Sequence, residues 1–183
     1  VPTDTVYGIA ADAGDGRAVR KLYEAKGRDA DTPIPLLLAD ASDLTRVVGS
    51  LTPVVERLAA TFCPGPLTLV VPLGAPGGRT FPAELTAGRS TVGVRVPDHR
   101  GLGSVIEGCG GWLAVTSANH SGGTPATCVE EVVAALGEFV DLVLDGGSTP
   151  GPVPSTVLDV TADPPRILRE GVLSASTLAP YLR

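Results

Sequence analysis

Read for apolar periodicity, the chain alternates between helical stripes and short apolar runs. Asp15 precedes a segment ending near Lys26 in which Val19, Leu22 and Tyr23 recur at i, i+3, i+4. This predicts a helix capped by Asp15. Thr52-Pro53 predicts a second start, a capping hydroxyl followed by proline at the first helical position. Val55, Leu58, Ala59 and Phe62 continue it, and Cys63-Pro64-Gly65-Pro66 must stop it. Thr127 and Glu130 form a capping box ahead of Val132, Val133 and Leu136. Shorter helical segments are expected at 102–107 and 177–182. Apolar runs predict strands at 34–39, 67–73, 91–96, 112–116, 140–144, 155–160 and 166–169. Pro35 cannot donate to a ladder and belongs at a strand start or edge. Residues 74–90, rich in glycine and proline, predict a loop that serves as a mobile flap. Helices alternate with strands, yet several strands follow one another directly. The expected class is therefore α/β, with a mixed twisted sheet.

Composition narrows this picture. A length of 183 residues fits one domain, 1–183, and 43% apolar against 19% charged residues excludes wholesale disorder. With 23 glycines and 17 prolines, many tight loops are expected. The net charge of −6 argues against a protein that coats nucleic acid, but leaves room for a local basic cavity. Cys63, Cys109 and Cys128 are odd in number and lack a Cys-x-x-Cys pair, and the histidines are only His99 and His120. Three buried, reduced thiols in a cytoplasmic protein are expected, with no metal site. No apolar run reaches the roughly 18 residues of a membrane span. The chain has no Met and opens at Val1 inside an apolar-polar run read as a strand that leads into Thr5, which suggests that a natural beginning is missing.

Four polar clusters stand at the ends of apolar runs: Thr3-Asp4-Thr5, Lys26-Gly27-Arg28, Ser117-Ala118-Asn119, and Ser155-Thr156 with Arg169. In extended chain Lys26 and Arg28 point the same way, and Gly27 adds no bulk, so a phosphate chain can approach. The competing reading is a solvated helix end. Ser117 and Asn119 offer a hydroxyl and an amide to phosphate or ribose; alternatively they form a turn that bonds its own backbone. Arg95, between Val94 and Val96, is costly to bury without an anion. That anion is either a ligand or a protein carboxylate such as Asp98. Neither a P-loop nor a dinucleotide glycine fingerprint occurs. Ser117 lacks a nucleophile elbow, both histidines read as loop residues, and Trp112 reads as core.

Taken in order, these segments resemble the YrdC family of threonylcarbamoyl-AMP synthases. The resemblance rests on Pro2-Thr3-Asp4-Thr5-Val6-Tyr7-Gly8, Lys26-Gly27-Arg28, Pro64-Gly65-Pro66-Leu67-Thr68, the strand from Thr91 to Pro97, Ser117-Ala118-Asn119, Ser155-Thr156, and Leu168-Arg169-Glu170-Gly171. It implies a twisted sheet around a large concave cavity, and a reaction joining L-threonine, bicarbonate and ATP into threonylcarbamoyl-AMP and pyrophosphate. The product would feed threonylcarbamoyladenosine formation in tRNA through a downstream threonylcarbamoyl-transferase complex, with tRNA itself a candidate contact. By position, Thr5, Arg95, Val115 and Ser155 would contact threonine. Lys26, Arg28, Thr32, Thr91, Ser117, Asn119, Pro125 and Arg169 would hold ATP, with Lys26, Arg28, Ser117 and Asn119 as the catalytic set. Mg²⁺ would come bound to ATP, with Asp4 acting on it at most through water. The sequence departs from the family pattern at Leu37, where some members carry histidine, and at Asp29, where proline is common. The resemblance also implies a missing N-terminal helix and strand and no extra C-terminal domain. Two alternatives stay open: a noncatalytic RNA-binding module, and a paralogue acting on another carbamoyl-type substrate.

Overall fold

The computed structural model describes residues 1–74 and 80–182. Its strands are β1 (Gly8–Ala11), β2 (Leu36–Leu38), β3 (Leu67–Pro72), β4 (Thr91–Arg95), β5 (Trp112–Ser117), β6 (Thr156–Asp159) and β7 (Arg166–Arg169). They form one sheet in the order β1-β5-β2-β4-β3-β6-β7. The pairs β2–β4 and β3–β6 are parallel and the others antiparallel, so the sheet is mixed as expected.

The helices are α1 (Gly16–Lys26), α2 (Leu44–Val48), α3 (Pro53–Phe62), α4 (Ala83–Thr86), α5 (Arg100–Gly108), α6 (Val129–Leu136) and α7 (Ala175–Leu178). The Asp15 carboxylate accepts from Arg17 N–H at the start of α1, and Thr52 caps α3 through Val55 N–H, with Pro53 at its first position. Leu67, Leu69 and Val71 of β3, with Val92 and Val94 of β4, join the main core; the helices contribute Val19 and Leu22 of α1 and Val55 and Leu58 of α3. On the other face, Leu102 and Ile106 of α5 pack on Leu37, Leu113 and Val115. Period-two alternation sets which side chains that second face receives.

Several local expectations are corrected, among them the burial of the thiols: Cys109 is exposed, and Cys63 and Cys128 are only partly buried. Residues 140–144 form no strand: Leu142 is exposed, while Val140 and Val143 pack against the core as irregular chain without a ladder partner. The box ahead of α6 uses Glu131 rather than Glu130: its carboxylate accepts from Thr127 N–H at 2.7 Å and from the Thr127 hydroxyl at 3.2 Å. The expected loop 74–90 contains α4; residues 75–79 of that proposed flap lie outside the described residues. The last helix begins earlier, capped by Ser174, and continues as a 3-10 turn over Ala179–Tyr181. The apolar-polar opening is not a strand before Thr5; pairing starts at Gly8. The segment 41–48, a 3-10 turn leading into α2, was too short in its periodicity to announce itself.

Candidate active site

Only part of the second sheet face is covered by α5. Beside it lies a cavity of about 320 Å³, floored by Thr68 and Val70 of β3 and by Thr91, Gly93 and Arg95 of β4. These are i, i+2 neighbours, so alternation alone brings them to one side. Gly93 keeps the floor open: a Cβ there would stand 3.3 Å from Pro35 and 3.4 Å from the Thr68 methyl.

Arg95 is 6% exposed, and three bonds hold it. It donates to the Asp4 carboxylate at 2.6 Å, to the Thr5 hydroxyl at 3.1 Å and to the Gly65 carbonyl at 3.0 Å. The protein carboxylate is therefore Asp4, not Asp98, because the turn over residues 3–6 folds Asp4 onto the end of β4. Thr3 makes that turn: its hydroxyl donates to Val6 O and accepts from the amides of Thr5 and Val6. Burial pushes the Arg95 pKa down, and Asp4 opposes the shift.

Lys26 and Arg28 do not share an extended segment. Lys26 is the last residue of α1, and Gly27 turns the chain left-handed at φ 56°. The turn sends Arg28 to the cavity and Lys26 inward. The Lys26 ammonium donates to Ser117 O at 2.6 Å and to Asn119 O at 2.7 Å, with the Ser117 hydroxyl and the Asn119 amide oxygen at 3.5 and 3.4 Å. Burial, and secondarily the charge of Arg28, lowers its pKa to about 8. Asn119 in turn donates to His120 O and Gly123 O, at 2.7 and 2.8 Å. This is the self-bonded turn of the alternative reading. Ser117 alone of that motif lines the cavity.

Ser155 lies beside Arg169, which donates twice to its carbonyl, at 2.8 and 3.2 Å, and to its hydroxyl at 3.3 Å. Of the residues singled out from sequence, the cavity gathers Thr5, Arg28, Thr32, Thr91, Arg95, Val115, Ser117, Ser155 and Arg169. Lys26 and Asn119 stand behind its wall, and Pro125 is not among its lining residues. The N–H of Val115 is engaged by Pro35 O at 3.0 Å. His99 caps α5 through Leu102 N–H, His120 is exposed and Trp112 is core, as expected.

Among the lining residues to which sequence reading gave no role are Thr68 and Arg89. Thr68 had a signal, a polar residue inside the apolar run 67–71. Arg89 had none; it reaches the cavity from the loop after α4 and donates to Asp31 O at 3.1 Å. Among the described residues, Arg28, Arg89 and Arg169 have no carboxylate within ion-pair distance. Burial, then the like charges of Arg95 and Arg28, lowers the Arg169 pKa. In a chain of net charge −6, the cavity is a local concentration of uncompensated cations, suited to a polyanion. No group of three His, Cys, Asp or Glu side chains suited to a metal occurs among the described residues. No described helix is long and apolar enough to cross a membrane.

Comparison with known proteins agrees with this geometry. A threonylcarbamoyl-AMP synthase of Pyrococcus abyssi is 40% identical over 172 residues, covering 94% of this chain and 49% of that protein. A putative threonylcarbamoyl-AMP synthase of Mycobacterium tuberculosis is 37% identical over 182 residues, covering 100% of this chain and 82% of that one. The chain thus spans about half the length of the Pyrococcus abyssi relative. The crystal structure of P. abyssi Sua5 complexed with L-threonine superposes with a TM-score of 0.91 at 38% identity, over 98% of this chain and 52% of that one. E. coli YciO gives 0.85 at 27% identity, over 98% and 84%. The family model for Sua5, YciO and YrdC proteins, described as telomere recombination, matches residues 1–171. With the YrdC-like sheet and its cation-lined cavity in place, the chain belongs to the Sua5/YciO/YrdC family.

Proposed function

We propose that this chain carries L-threonylcarbamoyl-AMP synthase activity. The observation that supports it best is the cavity itself, which among the described residues gathers three arginines without carboxylate partners, and with them the Arg95–Thr5 pair that Asp4 anchors. The first set suits a triphosphate; the second suits an amino-acid carboxylate and hydroxyl. In the reaction, the threonine amine and bicarbonate form a carbamate with loss of water. A carbamate oxygen then attacks the α-phosphorus of ATP as the bond to pyrophosphate breaks. No covalent enzyme intermediate is needed, so positioning and charge neutralisation supply the catalysis.

Arg95, Thr5, Ser155 and Val115 hold threonine. Arg28, Thr32, Thr91, Ser117 and Arg169 hold the nucleotide, with Pro125 near its outer end. Lys26 and Asn119 act one layer back, fixing the strand end that presents Ser117. Mg²⁺ enters as the counter-ion of ATP and is part of the substrate. The product serves threonylcarbamoyladenosine formation in tRNA through a downstream transferase complex. A cytoplasmic setting fits ATP consumption and three cysteines outside disulfides.

The test is pyrophosphate release from ATP with and without L-threonine and bicarbonate. Release requiring both supports the reading. Turnover independent of threonine, or salt-sensitive RNA binding with no adenylate formed, overturns it.

A further inference from the structure

Thr68 is a buried hydroxyl on the cavity floor to which the reaction above gives no role. It is 3% exposed, the second residue of β3, and aligned with Val157 across the parallel β3–β6 ladder. That register sets its hydroxyl 2.9 Å from the Ser155 hydroxyl, while its methyl group lies beside Gly93, 3.4 Å from where a Cβ there would stand.

Either hydroxyl can be the donor in this contact, and the proton count says what each choice leaves for the cavity. A serine hydroxyl has one proton and two acceptor sites. Arg169 has no acceptor, so its 3.3 Å contact uses one acceptor site of Ser155. If Ser155 gave its proton to Thr68, it would face the cavity without a donor and would repel a carboxylate. If Thr68 gives its proton to Ser155, both acceptor sites of Ser155 are filled. Its own proton is then free for the cavity.

We propose that Thr68 is a positioning residue that makes Ser155 a committed hydrogen-bond donor toward the amino-acid substrate. It does so without touching the substrate's reacting atoms. This rests on the synthase reading. The arrangement also explains a threonine here rather than valine: either shape fills the space beside Gly93, but only threonine sets the direction of the Ser155 proton.

The test is a set of variants assayed by initial rates and by calorimetric titration with L-threonine. Thr68→Val keeps the shape and removes the proton; Thr68→Ser restores the proton. The expected result is a roughly tenfold rise in KM and Kd for L-threonine in Thr68→Val, with KM for ATP within about twofold of wild type and recovery in Thr68→Ser. The double variant Thr68→Val with Ser155→Ala should be no worse than Ser155→Ala alone, because Thr68 acts through Ser155. Unchanged threonine affinity in Thr68→Val overturns the proposal, as do equal rises in both KM values, additive losses in the double variant, or no recovery in Thr68→Ser. If the wild-type protein fails to bind L-threonine in the same titration, the synthase reading falls first and takes this proposal with it.

Discussion

Removing the carboxylate of Asp4 isolates the most deeply buried charge in the cavity. In Asp4→Ala, Arg95 keeps the Thr5 hydroxyl and the Gly65 carbonyl, both neutral, and loses its one ionic partner among the described residues. Breaking a buried pair by truncating one member costs about 3–5 kcal/mol. The Asp4 side chain retains 12% exposure, so some water reaches the gap and the lower end, about 3 kcal/mol, is expected. For a chain of this length each kcal/mol moves Tm by about 2–4 °C, giving a fall of roughly 6–12 °C by differential scanning fluorimetry. The proposed function adds a sharper expectation. The vacated position leaves the Arg95 guanidinium open to a ligand carboxylate, so saturating L-threonine should raise Tm more in Asp4→Ala than in wild type. L-threoninol, which lacks the carboxylate, should not. A Tm within 2 °C of wild type would show that Asp4 contributes no net stabilisation at this site, contrary to the cost worked above. Equal shifts from threonine and threoninol would remove Arg95 from carboxylate recognition.

Three further outcomes follow from the same geometry. Lys26→Met should lower Tm by several degrees and raise KM for ATP at least about tenfold, since it releases Ser117; a change in KM with Tm untouched would mean that Lys26 meets the nucleotide directly. The lysine's pKa of about 8, below its ordinary 10.5, sets a pH signature. Between those values the unfolded chain binds a proton that the folded chain has lost, so this residue's contribution to stability rises with pH while its grip on Ser117 and Asn119 weakens. Chemical denaturation and turnover between pH 7 and 9.5 should therefore move in opposite directions in wild type, a divergence absent in Lys26→Met. Gly171→Ala should cost about 3 kcal/mol by denaturant melts and impair threonine binding, because its Cβ would stand 2.3 Å from Pro154 O and 2.6 Å from the Ser155 carbonyl carbon; wild-type behaviour would rule out that packing.

Much of this was readable from the chain, and the failures have a common cause. Strands β3, β4 and β5 announced themselves because both faces are buried over most of their length, which leaves continuous apolar runs. The run 140–144 is also largely apolar yet joins no ladder, and composition does not encode whether an apolar run finds a strand partner. At the site, residue types were legible while their directions were not. Lys26 and Arg28 look equivalent as an i, i+2 pair, yet one left-handed glycine separates them into a structural clasp and a cavity cation. Asp4 was visible, but its union with Arg95 depends on a turn closed by the Thr3 hydroxyl, a contact that spacing does not reveal.

The cavity's charges also divide by how far each is already neutralised. Arg95 arrives at its ligand with one carboxylate on it and two further acceptors around it, so a second anion gains only part of its charge. Among the described residues Arg28, Arg89 and Arg169 carry no such partner, and burial, then the like charges of Arg95 and Arg28, holds the Arg169 pKa down. A polyanion relieves that repulsion as it binds, whereas a small zwitterion does not. On the proposed reaction, the nucleotide therefore gains the larger electrostatic term and amino-acid recognition leans on hydrogen-bond direction. Salt should then weaken ATP binding much more steeply than threonine binding. The same reasoning explains why the threonine side of the cavity is built from paired hydroxyls, Thr3 with Thr5 and Thr68 with Ser155, each pair able to fix where a single proton points.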